Sequence, residues 1–301
     1  MSARLLVVGG NGFIGRHIAL HALGLGWFVD CLGLSGYGPP GTRCITADTT
    51  DFESLQKALC NIPYDYVVNC SGYIDHANFG VGGKKVIDGH FNGVLNLARL
   101  IRRDVLNRFV NIGSSDEYGS IPAPQSESMR EAPFSPYSLA KVSATHFLQM
   151  MYRTEAFPAV TLRLFITYGP GQDQMRFLPQ IIRGCLANRT FPTTSGEQLR
   201  DFCYIEDTVR AVFAALLNDA ADGEVINVGS GRGVSIRSVI ETVCRATGGG
   251  MPQFGAVSYR RGENMRLFAD VSNATRLLGW TSSVDLNTGL QRTIDAYRES
   301  N

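Results

Sequence analysis

The sequence predicts an α/β fold, with a doubly wound parallel sheet followed by a smaller mixed α/β lobe. Short apolar runs alternate with helical patterns through the first half of the chain, as in strands joined by crossover helices. Beyond Tyr168, glycines and prolines break this rhythm, and we expect the second lobe there. The predicted strands are 4–8, 27–32, 67–70, 109–112 and 160–165. The predicted helices are 13–25, 52–60, 86–103, 135–154, 177–188, 205–217, 236–247 and 287–298.

Three glycines follow the first predicted strand and lead into the first predicted helix. Gly9 permits a tight turn, Gly12 lets the backbone approach a pyrophosphate, and Gly15 lets helix and strand pack closely. The amide groups of the helix N-terminus can then bind the phosphates. We therefore predict a dinucleotide site whose contacts come from Gly9, Gly12, Phe13, Ile14 and Gly15.

Tyr137 and Lys141 are four residues apart on a predicted helix and therefore share one face. An ammonium beneath a phenol, with a cationic nicotinamide nearby, favours the phenolate and lowers a pKa that is normally about 10. Such a tyrosine can exchange protons with an alcohol near neutral pH. Together with the glycine triplet, the pair predicts a nicotinamide-dependent enzyme.

Hydroxyl groups end the predicted strand 109–112. Ser114 and Ser115 follow it and are themselves followed by Tyr118 and Gly119. In an open parallel sheet, ligands bind beyond the carboxyl ends of the strands. We expect Ser114 to face the reacting group, and Ser115 to assist or replace it.

The glycine triplet, the strand-end serine before Tyr-Gly and the Tyr-x-x-x-Lys motif, in this order, resemble the extended short-chain dehydrogenase/reductases. The similarity is to their sugar-nucleotide epimerase, dehydratase and reductase branch. It extends through Leu162–Pro170 and Leu277–Trp280 to nearly the whole chain. The resemblance implies a Rossmann domain over residues 1–168, to which about 204–229 return, and a sugar-nucleotide-binding domain over 169–301.

The resemblance also implies a role for each site residue. Tyr137 would be the acid or base at a sugar hydroxyl or carbonyl, Lys141 would tune it and hold the nicotinamide ribose, and Ser114 would hydrogen-bond the same oxygen. Cofactor contacts beyond the first turn are implied for Gly33, Ser35, Asp48, Thr49, Ser71 and Gly72. Substrate contacts are implied for His76, Ser114, Ser115, Tyr137, Arg200, Arg260 and Glu263.

The end of the second strand decides between NAD and NADP. NAD-selective relatives carry a carboxylate there, which binds the ribose hydroxyls and repels a 2′-phosphate. Alignment on Gly26 and Val29 puts Gly33 at this position, with Ser35 as the next polar group. We favour NADP as the cofactor; NAD is the alternative if a shifted strand brings Asp30 to this position.

Asp116 and Glu117 resemble the acidic pair of the sugar-nucleotide 4,6-dehydratases, in which the pair expels water from C6 of the sugar. The register is short by one residue, so Asp116 stands at the family's glutamate and Ser115 at its aspartate. The two acids are therefore either additional catalytic groups or a structural acidic turn.

Other positions depart from the family pattern. His90 replaces an asparagine in the helix before the serine strand, and Ile166 or Thr167 replaces the asparagine before Tyr-Gly-Pro. These changes make a plain UDP-galactose 4-epimerase less favoured. His76 follows the fourth strand and is either a sugar contact or a packing residue.

Four functions remain open. We favour NADPH-dependent reduction of a 4-keto-6-deoxyhexose nucleotide. A net reductase must exchange its cofactor with the cytosol, and the predicted preference for NADP suits that use. A redox-neutral 4-epimerase comes next and a 4,6-dehydratase third, since both reuse one tightly held NAD. A dinucleotide-sensing regulator on the same fold typically lacks the tyrosine and the lysine that this chain retains.

Composition agrees with a globular enzyme of two lobes. The 301 residues are 44% hydrophobic and 18% charged, with a net charge of +1, so nothing suggests a nucleic-acid or membrane partner. The 7 cysteines include no Cys-x-x-Cys pair, which argues against a disulfide framework and a metal site. The first strand leaves no room for a signal peptide, so we expect a cytoplasmic protein. The resemblance implies a homodimer.

Overall fold

The computed structural model describes residues 2–75, 77–260 and 262–299. Its strands are β1 (Arg4–Val8), β2 (Phe28–Gly33), β3 (Arg43–Thr46), β4 (Tyr66–Asn69), β5 (Arg108–Ser114), β6 (Ala159–Leu164), β7 (Ile166–Tyr168), β8 (Thr190–Thr193), β9 (Leu199–Arg200), β10 (Phe202–Tyr204), β11 (Val225–Val228), β12 (Val234–Ser235), β13 (Met251–Phe254) and β14 (Arg266–Leu267). Its helices are α1 (Phe13–Gly24), α2 (Phe52–Leu59), α3 (Gly83–Ile87), α4 (Gly93–Leu100), α5 (Pro136–Glu155), α6 (Phe177–Leu186), α7 (Ile205–Leu216), α8 (Ile236–Thr247), α9 (Ser272–Leu278) and α10 (Leu286–Glu299).

A parallel sheet of seven strands forms the main domain, in the order β11-β6-β5-β4-β1-β2-β3. The strand order reverses between β1 and β4. In doubly wound sheets, ligands bind at such a switch point, outside the carboxyl ends of the strands. The predicted doubly wound parallel sheet is confirmed.

Both faces of the sheet are covered, which explains the uninterrupted apolar run of β1. Leu5 and Val7 belong to a core with the α1 side chains, whereas Leu6 and Val8 belong to a second core with α2, α4 and α5. Successive side chains of a strand point to opposite faces, and here each face meets helices.

The second lobe combines small sheets with three packed helices. β7 pairs with β10, β8 pairs with β13, and β9 lies between β12 and β14. α6, α8 and α10 contact one another, and their buried side chains are continuous with the core on the α1 side of the main sheet. The two lobes therefore share one of the two large cores.

The chain returns to the main sheet after entering the second lobe. α7 packs against α1, and β11 pairs with β6 in parallel, from Val225 opposite Thr161 to Val228 opposite Leu164. The outermost strand of the main sheet thus comes from residues that follow part of the second lobe.

The helix predicted over 86–103 is interrupted. α3 and α4 are separated by a π-helical turn, Asp88–Asn92, in which His90 is buried. π-turns insert one wide turn into a helix and are frequent at functional sites. Within the described residues, every helix is too short or too polar to span a bilayer.

Candidate active site

The turn between β1 and α1 has the shape that a pyrophosphate requires. Gly9 has a φ of +77°, and a Cβ on Gly15 would lie 2.3 Å from the carbonyl oxygen of Gly9, so both positions require glycine. Gly12 is the N-cap of α1 and offers no side-chain cap to the first amides of the helix. Phe13 and Ile14 are half-buried at the start of α1. These residues fit a dinucleotide phosphate on the helix N-terminus.

The end of β2 carries no acid at its last residues. A Cβ on Gly33 would lie 3.2 Å from Oδ1 of Asn11, and Asn11 donates a hydrogen bond to Oγ of Ser35 (2.8 Å). A dinucleotide on the glycine turn would find amide and hydroxyl groups here.

Asp30 is engaged elsewhere. Its carboxylate is buried and accepts hydrogen bonds from Arg4 (3.1 Å), Arg43 (2.9 Å) and the hydroxyl of Tyr64 (2.7 Å). It pairs with Leu6 in the middle of β1 and therefore lies away from the carboxyl end of β2. The shifted strand that would have brought Asp30 to the ribose position is therefore not observed.

The residues after β3 and β4 lie at the carboxyl-end edge of the sheet, as the glycine turn does. Asp48 is exposed and accepts hydrogen bonds from the amide and the hydroxyl of Thr50 (2.8 Å each), while Thr49 is buried beneath Gly93 of α4. Ser71 donates its hydroxyl to Asn69 (2.6 Å), and Gly72 has a φ of +103°.

Ser114 ends β5 as the N-cap of a short 3₁₀ turn, Ser115–Tyr118. Its hydroxyl oxygen accepts a hydrogen bond from the amide of Asp116 (3.1 Å) and also has a side-chain hydrogen bond with Tyr137. Ser115 is buried, whereas Ser114 is half-buried. Of the two serines, Ser114 is the one that the structure joins to the tyrosine.

Glu117 does not act as a free acid in this site. It is fully buried, and its carboxylate accepts hydrogen bonds from the amide of Ser114 (2.9 Å), the hydroxyl of Thr145 (2.8 Å) and Nε of Arg163 (2.8 Å). Arg163 also forms an ion pair with Glu131. Its partners occupy both oxygens, an arrangement that favours the structural one of the two predicted roles of Glu117.

Asp116 stays at the site. It is half-buried, and its charge acts on both Tyr137 and Arg200, which bracket it from the two lobes. Of the two neighbouring acids, Asp116 is therefore the one whose charge acts on Tyr137 most strongly.

Tyr137 and Lys141 project from the first turns of α5. Ser135 caps this helix in a reciprocal capping box with Ser138, and Pro136 is its first residue, which fixes where the helix begins. Nζ of Lys141 lies 6.0 Å from the centre of the Tyr137 ring and donates a hydrogen bond to the carbonyl oxygen of Ile112 (2.7 Å). Both side chains are buried.

The electrostatics of this pair differ from the expectation. Burial, followed by the charge of Asp116, raises the pKa of Tyr137 above its usual value, whereas the hydrogen bond with Ser114 opposes the rise. Burial lowers the pKa of Lys141 to about 8. The expected lowering of the Tyr137 pKa assumed a cationic nicotinamide as well as Lys141. In the protein alone, the effect of burial is larger than the effect of the neighbouring charges.

His90 packs directly against Tyr137. The ring centres are 4.9 Å apart with an interplanar angle of 85°, an edge-to-face contact. The sequence identified His90 only as a departure from the family's asparagine, and a periodicity argument could not have placed its ring here.

The second lobe brings an ion pair to the site. Arg200 pairs with Glu263, and burial lowers the pKa of Arg200. Arg260 is exposed, and its carbonyl oxygen accepts the amide of Glu263 (3.1 Å). His76 lies outside the described residues.

Sequence reasoning missed two contacts, one between the lobes and one within the second lobe. Asn264 donates a hydrogen bond to the carbonyl oxygen of Gly119 (2.7 Å), at the end of the turn that contains Asp116. Asp201 is fully buried and accepts hydrogen bonds from the amides of Ser230, Gly231 and Ala269. Asp201 directly follows Arg200, a predicted substrate contact, and this adjacency is a signal that the sequence offered.

This arrangement suits proton transfer at a carbon–oxygen bond beside a bound dinucleotide. A phenol, a serine hydroxyl and a lysine converge at the carboxyl end of β5, next to the switch point of the sheet.

Comparisons with known proteins show which family the chain resembles. A model of the NAD dependent epimerase/dehydratase family matches residues 5–229. The low-salt glycan biosynthesis protein Agl12 of Haloferax volcanii is 27% identical over 310 residues, covering 97% of this chain and 98% of Agl12. A dTDP-glucose 4,6-dehydratase of Escherichia coli is 29% identical over 338 residues, covering 98% of this chain and 93% of the relative.

A solved structure adds the ligands that a similar protein binds. The UDP-glucuronic acid 4-epimerase of Bacillus cereus, in complex with UDP-glucuronic acid and NAD, is 25% identical with a TM-score of 0.87; the match covers 99% of this chain and 100% of that chain. With the fold, the glycine turn and the family match together, the chain belongs to the NAD dependent epimerase/dehydratase family.

Proposed function

We propose that the protein is an NADPH-dependent reductase of the 4-keto group of a nucleotide-activated 4-keto-6-deoxyhexose. The observation that carries this proposal is the end of β2, where Gly33 and Ser35 stand in place of a carboxylate and Asp30 is held by Arg4 and Arg43. Without a carboxylate, the 2′-phosphate of NADP is not repelled. A net reductase must exchange its reduced cofactor, and NADPH is suited to that use.

The protonation state of Tyr137 supports the reductase. Reduction of a ketone requires a proton donor at the new hydroxyl, and burial keeps the Tyr137 phenol protonated by raising its pKa. Ser114 hydrogen-bonds the phenol and is positioned to share the substrate oxygen. Lys141 would hold the ribose and contribute positive charge beside Tyr137. The nicotinamide, when bound, supplies the hydride.

The acidic turn argues against a dehydratase. Elimination of water from C6 calls on an acid and a base, but Ser115 occupies the first acidic position and Glu117 is bound to Arg163. Asp116 is half-buried, and its charge acts on Tyr137 and Arg200. We propose that it contacts the sugar, while Arg200 and Arg260 bind the diphosphate and Glu263 orients Arg200.

A redox-neutral 4-epimerase is the second candidate. The 4-epimerase of Bacillus cereus described above was solved with NAD, and its reaction also requires proton exchange at the C4 oxygen. In that case NAD would be retained through the cycle.

We further propose a homodimer through α3–α4 and α5, where Leu139 and Met150 are exposed on α5.

The test is a cofactor and turnover assay. The purified protein is first analysed for retained nucleotide, and is then mixed with NADPH and a nucleoside-diphosphate 4-keto-6-deoxyhexose, in dTDP and UDP forms. We expect little retained cofactor, stoichiometric loss of NADPH absorbance, and a loss of roughly 10²–10⁴-fold in rate for Tyr137→Phe.

Two other outcomes would replace the proposal. Retained NAD, with interconversion of C4 epimers and no net NADPH consumption, would identify the epimerase. The protein would be a sensor if it binds dinucleotide but turns over neither class of substrate, and if Tyr137→Phe leaves this binding unchanged.

A further inference from the structure

His90 is a buried imidazole with one ring nitrogen that lacks a partner. The residue is 4% exposed and lies in the π-turn between α3 and α4. Its Nδ1 is buried and has no hydrogen-bond partner among the described residues. Buried polar atoms are nearly always paired, and an unpaired one costs about 1–3 kcal/mol.

The other ring nitrogen fixes the tautomer. Nε2 of His90 lies 2.8 Å from the carbonyl oxygen of Tyr73, which can only accept, so Nε2 carries the hydrogen. Burial, followed by the charge of Lys141, lowers the pKa of His90 to about 3, so the ring is neutral near pH 7. Nδ1 therefore presents a lone pair and requires a donor.

The edge of the ring that carries Nδ1 lies beside Gly72, which follows β4. A Cβ on Gly72 would lie 2.4 Å from Nδ1 of His90, so this edge of the ring rests against the backbone just after β4. The same backbone segment runs beside the glycine turn, because a Cβ on Gly9 would lie 2.9 Å from the carbonyl oxygen of Cys70. The ring also touches Tyr137, where the reacting carbon would lie.

This position selects one part of a dinucleotide. Between a pyrophosphate on the glycine turn and a nicotinamide at Tyr137 lies the ribose that joins them. Phosphate oxygens cannot donate to Nδ1, whereas a ribose hydroxyl can. We infer that Nδ1 of His90 accepts a hydrogen bond from a hydroxyl of this ribose, which makes His90 a cofactor-binding residue. The inference rests on the proposed use of a dinucleotide.

Two substitutions separate this role from a purely structural one. In His90→Asn the amide can stand near the place of Nδ1 but does not reach Tyr73, whereas in His90→Gln the longer amide can reach the Tyr73 carbonyl in place of Nε2. Dissociation constants for NADPH and NAD are measured for both variants and the wild type, with thermal unfolding as the control for folding. A ribose contact predicts that His90→Gln loses about tenfold in affinity and that His90→Asn loses less.

Nitrogen NMR of the protein labelled at histidine adds a readout that does not depend on turnover. We expect the Nδ1 signal of His90, assigned by its loss in His90→Asn, to move when the dinucleotide binds, while Nε2 stays protonated. An affinity ranking in which Gln is tolerated and Asn is not, or an Nδ1 signal that does not move on binding, would overturn the inference alone. Wild-type protein that binds neither NADPH nor NAD would overturn the proposed function with it.

Discussion

Nε of Arg163 donates to Oε2 of Glu117 across 2.8 Å, and both side chains are buried. The same carboxylate accepts the amide of Ser114 and the hydroxyl of Thr145. One carboxylate therefore joins the end of β5 to β6 and to the helix that carries Tyr137. The hydrogen bonds of Glu117 therefore link the elements that carry the three proposed catalytic groups.

Glu117→Gln should destabilise the fold. It removes one of the two carboxylates that pair with the buried guanidinium of Arg163 and leaves only Glu131, so the cost should lie at or below about 3–5 kcal/mol, the cost of breaking an isolated buried pair. Urea denaturation measures the loss. The triple variant Glu117→Leu, Arg163→Met and Glu131→Gln serves as the control, since replacing all three paired charges should cost less than removing one. A Glu117→Gln protein of wild-type stability but without activity would instead assign Glu117 to the chemistry.

Asp116→Asn should alter the pH dependence rather than the stability. The negative charge of Asp116 raises the pKa of Tyr137, so its removal lowers that pKa. A reductase that uses the protonated phenol loses activity as pH rises through this pKa. We therefore expect the alkaline limb of the kcat/KM profile to move to lower pH. An unmoved limb, with activity retained, would mean that another group donates the proton.

Lys141→Met should change how stability varies with pH. Burial lowers the pKa of Lys141 from 10.5 to about 8, so between these values the unfolded chain binds more protons than the folded one. Lys141 therefore makes the wild type more stable as pH rises from 8 to 10.5. At about 1.4 kcal/mol per pKa unit, any advantage of the variant at pH 7.5 should shrink by about 3 kcal/mol by pH 10.5. Parallel stability curves in urea denaturation would contradict the lowered pKa.

Gly15→Ala should destabilise the protein by about 1–3 kcal/mol and abolish dinucleotide binding, because the new Cβ would lie 2.3 Å from the carbonyl oxygen of Gly9. Gly24→Ala, at the end of the same helix, is the matched control, since a Cβ there meets nothing within 4 Å. Thermal unfolding and NADPH titration compare the two variants. Equal stability and equal NADPH affinity of the two variants would contradict the close contact between Gly15 and the carbonyl oxygen of Gly9.

Apolar runs predicted β1, β2, β4, β5 and β6 of the main sheet but not β11, although all four residues of β11 are buried. β1 begins and ends where the pattern predicts, and α1 and α8 differ from their predicted ranges by at most one residue. β3 was missed because its residues are half-buried or exposed at the edge of the sheet. In the second lobe, strands such as β12 have two residues, which is too few for any periodicity.

The site could be predicted only as far as its motifs reach. Tyr137, Lys141 and Ser114 came from spacing and resemblance, and the structure brings them together. Whether Glu117 or Asp116 faces the substrate depends on how the turn after β5 closes, which the sequence does not encode as a pattern. The contact between His90 and Tyr137 depends likewise on a π-turn, for which no residue signature was available.

Because β11 is the outer strand beside β6, the main sheet remains open during synthesis until Val225–Val228 leave the ribosome. The backbone edge of β6 stays unpaired while α6 and α7 are being made, and unpaired edges recruit other chains. Non-local parallel pairing is also slow. A nascent chain that stalls between these helices would thus expose an unpaired strand edge to other chains.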